Sequence, residues 1–437
     1  MRERKLVLRL TPHMLQKDII LFLICLYIFS RDLFPLWVEI GILSLASVLT
    51  GLHLLNAKRL EMSKMLVLYL VTFLFVLINN ANIKNMEFRN ITEYFMAFLL
   101  FWDFKREKGW AGAMISMLVF GGMIHAIATI VLYFAPDFYR QNILTLFDLS
   151  QQRELLSQYN HGWMPGLAPH YSTNGMYLGI GLGAAFVKAT AKRGKRKIFS
   201  YIVPGIILLA LLMTGKRAHV LFSVAACCAV IVLRLNRKNV LKLFKIVLFA
   251  FFSALIIYWI SSYIPAVANV FNRFIETAKS GDVTMGRRKL WGTAIMLWKQ
   301  NPLFGIGWDR YKYLAPSLVG FFLNVHNVYI QLLCEVGVVG AGVFYIFFIT
   351  AFIYSVRVIR LFFKSSESIL SYADRTTVLF GIYMQIFFLL YCVTGNPLYD
   401  APTFFPYIFS CAIAEYYHDN YCSRTAKTLT EGRTICV

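Results

Sequence analysis

A chain of 437 residues with 58% hydrophobic and only 15% charged side chains departs from a soluble globular domain, which carries about 25% charged residues. The formal net charge of +22 does not mark a nucleic-acid binder, because the basic residues gather in segments between apolar runs. The eight cysteines are scattered without a Cys-x-x-Cys pair, so neither a disulfide framework nor a thiolate metal site is expected.

Residues 1–18 are basic and too polar for a cleaved signal, and the first apolar run lacks a small-residue cleavage site. That run is expected to be a retained helix. A bilayer core about 30 Å thick takes roughly 20 apolar residues of helix. Runs of this kind lie near 18–34, 35–55, 64–79, 90–104, 110–135, 172–190, 198–214, 217–235, 241–262, 337–358, 376–394 and 401–417. The expected fold is an all-α polytopic membrane protein of about 12 transmembrane helices. With the N-terminus in the cytoplasm, 29 of the 44 Lys and Arg fall on cytoplasmic segments, as the positive-inside tendency requires. The even helix count returns the C-terminus to the same side.

Two outer segments are long, one near 136–171 and one near 263–335. Long connections of this kind are functional or disordered. The expected organisation is an N-terminal bundle over 1–262, a basic outer loop over 263–336 and C-terminal helices over 337–437. The second loop predicts a helix over Met285–Gln300, with Leu290, Trp291, Ala294, Leu297 and Trp298 at helical spacing. Asn301-Pro302 stops it and Gly305-Ile306-Gly307 makes a turn. Its two Trp suit a helix lying at the membrane interface. From Tyr263 to Val325 this loop has eight basic and three acidic residues, on the side where positive charge is normally depleted. An anionic substrate at the membrane surface is one reason for such charge, and anionic headgroups are the other.

Three places carry candidate chemistry. Arg217, in Thr214-Gly215-Lys216-Arg217, stands at a helix start by the membrane edge, where it either faces a polar partner or snorkels as a cap. Arg287 and Arg288, in Gly-Arg-Arg-Lys-Leu-Trp at 286–291, open a helix. Cations oppose the helix dipole there unless an anion binds. Guanidinium groups grip phosphate oxygens with paired hydrogen bonds. His326, within Asn324-Val-His-Asn-Val-Tyr-Ile-Gln331, is either a base for a hydroxyl or a structural helix-start histidine. Arginines nearby would keep it neutral. There is no Walker loop, no His-Glu-x-x-His and no acidic cluster on the outer side. No metal site is expected, and no cofactor.

These residues together resemble the O-antigen ligase and polymerase family. The resemblance is strongest from Thr214 to Gly342. It rests on Thr-Gly-Lys-Arg at 214–217, Gly-Arg at 286–287 with Trp291 four residues on, Asn-Pro-Leu-Phe-Gly-Ile-Gly-Trp at 301–308, and His-Asn-Val-Tyr-Ile-Gln-Leu-Leu-Cys-Glu-Val-Gly at 326–337. It implies a glycosyltransferase that takes a glycan from a polyprenyl diphosphate at the outer leaflet. The glycan passes to a hydroxyl with inversion, without metal or nucleotide. Carried over, Arg217 and Arg287 would bind the diphosphate and His326 would activate the acceptor. Arg288, Lys216, Asn327 and Trp291 would line the substrate site. His170 and Asn174 would stand on the acceptor side or serve as helix-start residues. The expected setting is a bacterial cytoplasmic membrane, with the site outside and no nucleic acid. The expected partners are the lipid-linked donor, a glycan acceptor, the bilayer, a flippase and a chain-length regulator. A polymerase extending lipid-linked repeat units is the first reading. A ligase acting on a lipid A core or other acceptor is the alternative. A lipid-linked oligosaccharide transporter would need polar residues deep in several helices, and the mid-span residues read as almost wholly apolar.

Overall fold

The structure is a computed structural model that describes residues 12–31, 33–56, 62–81, 88–234, 255, 258–280, 286–320, 322–364 and 371–422. Among the described residues there are helices and no strand. In a bilayer every backbone polar group must be satisfied within the protein, and helices do this inside one segment. The first five helices are α1 (Pro12–Ser30), α2 (Leu36–Asn56), α3 (Lys64–Ala81), α4 (Phe88–Phe104) and α5 (Gly109–Phe134). Two short ones, α6 (Pro136–Asn142) and α7 (Leu149–Asn160), occupy the first long segment. Then come α8 (Tyr171–Ala191), α9 (Ile202–Met213) and α10 (Arg217–Arg234). The second long segment carries α11 (Pro265–Ser280), α12 (Arg287–Gln300) and α13 (Tyr311–Val319). The chain closes with α14 (Val328–Lys364), α15 (Tyr372–Tyr391) and α16 (Ala401–Tyr417). The span expected at 241–262 falls largely outside the described residues.

Five of these helices, α2, α5, α10, α14 and α15, are long and apolar enough to cross a membrane. Large apolar side chains point outward along them, such as Leu45, Val48 and Leu52 on α2 and Phe120, Ile124 and Ile127 on α5. A water-soluble surface would not carry apolar area on this scale. Lipid accepts it. Where helices meet inside the bundle, small residues bring backbones together. Gly122 on α5 faces Gly181 on α8 so closely that a Cβ on either would come within 2.7 Å of the other's Cα.

The ends of the helices sort into two sets. At one end, Lys17 pairs with Glu107, His53 with Asp103 at 2.9 Å and Lys108 with Asp374 at 2.8 Å. At the other, Arg31 meets Glu93 at 3.5 Å and Asn90 bonds Asp309 at 3.1 Å. Both long segments lie at this second end. Met164 of the first bonds the Met213 carbonyl at 3.3 Å, and Asn269 of the second bonds the Gly162 carbonyl at 3.2 Å. The alternation read from the sequence puts these same connections on a common side. The buried charged residues of α1, α2 and α4 were not expected from runs that read as apolar. Each charged tie named here lies at a helix end or in the connection beside it, where a paired charge costs less than at mid-span.

Two features of the second segment differ from the sequence reading. The helix expected from 337 begins nine residues earlier, at Val328, and is broken at Gly337, where φ is 66° and ψ −173°. Its first arm belongs to the cap over the bundle and its second crosses the bundle. The loop after α12 fills the break: Val338 N–H donates to the Pro302 carbonyl and Ile306 N–H to the Cys334 carbonyl, both at 2.9 Å. The second difference concerns α12. Its Leu290, Ala294 and Leu297 face inward onto Tyr311, Ala315, Val319, Val325 and Cys334 rather than toward a membrane surface. The second segment has a small core of its own, and that core claims the apolar stripe.

Trp308 anchors the cap to the bundle. It is buried, stacked on Tyr399 at 4.6 Å and on Phe344 at 5.7 Å, with Tyr94 edge-on at 5.4 Å. A Cβ at Gly337 would run into the backbone of Leu303 and Phe304, in a φ/ψ region that only glycine occupies freely. Gly337→Ala should therefore destabilise the protein by about 1–3 kcal/mol, read as a lower thermal transition in detergent. Gly342→Ala, where a Cβ meets open space, should leave the transition within a degree or two.

Candidate functional site: a cation-lined cavity at one end of the bundle

A cavity of about 730 Å³ opens where the cap meets the bundle. His326, Arg287, Lys216 and His170 all line it, although they are far apart in the chain. Gly286, Lys289, Lys312, Asn324, Tyr391, Asn396 and Asp400 complete the part of the wall that bears on chemistry.

His326 sits in the turn before α14 with φ 55°, a left-handed backbone that costs a non-glycine residue energy. The surrounding bonds hold it there. Asn327 caps α14 by accepting from Ile330 N–H at 3.1 Å. The Gln331 side chain donates to Asn324 Oδ1 at 3.1 Å and accepts from Val325 N–H at 3.3 Å. Val328 N–H donates to the Cys392 carbonyl at 2.8 Å. The polar residues around the histidine thus act as braces. Burial first, then the charges of Arg287 and Lys216, push the His326 imidazole down to about 4. It is neutral at physiological pH, with burial outweighing the arginine effect expected from the sequence.

Arg287 begins α12, whose N-cap is Gly286 at φ 81°. A glycine cap brings no side-chain acceptor, so the positive end of the helix dipole and the guanidinium act together on the cavity. Lys216 follows Gly215, whose φ of 71° turns the chain between α9 and α10. Its Nζ lies 5.8 Å from the Tyr171 ring centroid. Burial, with Arg287 and Arg273 as like charges, lowers Lys216 to about 8. His170 caps α8 through Nδ1, which accepts from Ser172 N–H at 3.1 Å. Burial and Lys216 bring it to about 4.

The other expected residues stand elsewhere. Arg217 is the first residue of α10, and its guanidinium donates to the Arg273 carbonyl and to Thr277 Oγ1 on α11. Arg288 is exposed on α12 and Trp291 packs on the cap's core. Asn174 is buried in α8, bonded to Thr129 Oγ1 at 2.8 Å and the Met164 carbonyl at 3.0 Å. Sequence reasoning did not single out Asn396 or Asp400, which come from the α15–α16 connection, or Arg273. The Arg273 guanidinium lies 4.8 Å from the Trp163 ring centroid and bonds the Gly215 carbonyl at 3.0 Å. No motif flags these three residues. Only the fold brings them to the site. Among the described residues no group of three or more His, Cys, Asp or Glu is placed to hold a metal ion.

A helical, polytopic membrane protein with a cationic cavity at one end of its bundle is the class that fold and site define. Residues 199–345 match the family model described as O-antigen ligase, so this segment is similar to that family. The matched segment contains Lys216, Arg217, Arg287, Arg288 and His326 but not His170, Asn396 or Asp400. No curated protein matches the chain.

The cavity should bind a multivalent anion. Sulfate keeps its own charge over the working pH range, so the protein's titration is what changes binding. Above about 8 Lys216 loses its proton, so affinity should fall about tenfold as pH rises from 7 to 9.5. His170 and His326 titrate near 4, below that range. Isothermal titration in detergent checks this. The Lys216→Met variant should bind weakly throughout and lose the dependence.

Proposed function

We propose that the protein is a glycosyltransferase that lengthens polyprenyl-diphosphate-linked oligosaccharides at the outer face of a bacterial cytoplasmic membrane. The observation that carries this reading is the meeting of a neutral histidine with Arg287 and Lys216 in one cavity at the membrane-edge end of the bundle. The leaving group of such a reaction is a diphosphate. Cations placed where its charge develops stabilise the transition state. The attacking group is a sugar hydroxyl, which needs a base.

In this mechanism Arg287, Lys216 and the start of α12 hold the donor's diphosphate. The acceptor hydroxyl gives its proton to His326 as its oxygen bonds to the anomeric carbon. The carbon–oxygen bond to the diphosphate breaks, and its electron pair leaves with the polyprenyl diphosphate. Attack from the face opposite the leaving group inverts the anomeric centre. The proton on His326 then passes to solvent or to the departing diphosphate. Fixed cations do the electrostatic work, so no metal is called for. Arg217 would reach the diphosphate only by exchanging its bonds to α11, and in the structure's arrangement it steadies Arg273 beside the cavity. An apolar crevice of about 310 Å³ between Tyr329, Tyr345, Phe352 and Leu389 supports a substrate with a lipid tail.

A ligase reading, in which the glycan passes to a different acceptor lipid, is favoured by the description of the matching family. Purified protein in liposomes with one defined polyprenyl diphosphate oligosaccharide separates the two. A ladder of longer lipid-linked glycans supports polymerisation. Transfer that requires an added acceptor glycolipid supports ligation, and no transfer beside an active control contradicts both. In the same assay His326→Ala should abolish product. Arg287→Lys should lose about 10²–10³ in rate. Activity of His326→Ala near wild type would remove the base from the mechanism.

A further inference from the structure

Resting on the reading of His326 as a base, we infer that the Asn396 carboxamide is a positioning group whose oxygen accepts the Nδ1–H of His326 and so fixes Nε2 as the ring's acceptor. The Asn396 amide contacts Nδ1 at 3.2 Å. Its nitrogen faces the ring, while its oxygen is buried without a hydrogen-bond partner. The two ends of a carboxamide fill the same space, so the amide can be turned without moving a neighbour. The two orientations differ in chemistry. An amide N–H pointed at Nδ1 makes that nitrogen the acceptor and leaves the ring proton on Nε2. The ring then has no lone pair to offer an attacking hydroxyl. The turned amide puts the proton on Nδ1 and frees Nε2.

The backbone keeps the two side chains in register. Val328 N–H bonds the Cys392 carbonyl at 2.8 Å, tying the histidine turn to the connection that carries Asn396. Gly395 N–H bonds the Tyr391 carbonyl and Tyr399 N–H bonds the Asn396 carbonyl, each at 2.9 Å. Asn396 is thus held on both sides of its own position. A neutral partner also suits the surroundings. The charged and titratable groups sharing the cavity with His326 are Arg287 and Lys289 of α12, Lys216 before α10, Lys312 of α13, His170 at the start of α8, Tyr391 at the end of α15 and Asp400 before α16. Cations outnumber the single carboxylate. An amide orients the imidazole without drawing it into its charged form.

The test is the pH profile of kcat/KM in the reconstituted transfer assay, for wild type, Asn396→Asp and Asn396→Leu. The near-isosteric Asn396→Asp still accepts from Nδ1–H and stabilises the imidazolium. Its acidic limb should move up by at least one pH unit from the wild-type limb near 4. Asn396→Leu removes the acceptor, so kcat should fall by about 10²-fold with the KM for the donor unchanged. A structural role alone would move neither the limb nor the split between kcat and KM. An Asn396→Asp limb at the wild-type position overturns the inference, as does an Asn396→Leu kcat equal to wild type. His326→Ala run alongside separates the two levels. If it is inactive while the limb stays fixed, only the role of Asn396 falls. If it is active, the base itself is elsewhere.

Discussion

Glu335 is buried on the first arm of α14 and takes hydrogen bonds from four donors. These are the backbone N–H of Asp309 at 2.9 Å and of Tyr311 at 3.2 Å, the Tyr399 hydroxyl at 2.7 Å and the Gln331 amide at 3.1 Å. One carboxyl group thereby joins the cap, the α15–α16 connection and the braces around His326. Each of its oxygens accepts two of these bonds, and an amide of the same shape has only one accepting oxygen. Two of its partners are backbone donors that would otherwise be buried and unsatisfied, a loss of about 1–3 kcal/mol each. The break at Gly337 completes the joint, because the carbonyls freed there receive the loop that carries Trp308. Cavity geometry follows from this joint. Arg287 comes from the cap and Asn396 from the connection, and His326 stands in the turn that leads into the arm between them.

Much of this was legible in the sequence, for reasons that differ by element. Apolar runs such as 110–135 and 376–394 became α5 and α15 because length and hydropathy decide a membrane helix almost alone. Asn301-Pro302 and the glycines at 305 and 307 became the stop and turn they spell, as proline and glycine act locally. His326, Arg287 and Lys216 share a cavity, and Arg217 does not line it. The direction of the α12 stripe was not legible, because an amphipathic helix has the same pattern whether a bilayer or a neighbouring helix covers it. The buried pairs His53–Asp103 and Arg31–Glu93 were hidden for another reason. Nothing in the sequence around either member points to its partner, which lies 50 or more positions away. Asn396 and Asp400 sit in a short connection with no motif. Arg273 was one of eight basic residues in a loop, with nothing in its spacing to set it apart.

The site combines two environments that are hard to hold together. The proposed transfer needs cations close to one another for a diphosphate and a neutral base beside them for a hydroxyl. Burial settles the conflict. It holds His326 unprotonated beside Arg287, while Arg287 stays charged and Lys216 keeps its proton to about pH 8. The neutral Asn396 adds orientation without adding charge. The cap and the bundle together enclose the site.

The measurement that tests this account most directly is a cryo-EM structure of the protein in a nanodisc with a non-cleavable polyprenyl phosphonophosphate glycan. The account predicts the two phosphorus centres between Lys216 and Arg287 at the start of α12, with the anomeric carbon on the His326 side of the cavity. Head-group density outside the cavity, with Arg287 and His326 untouched, would contradict it.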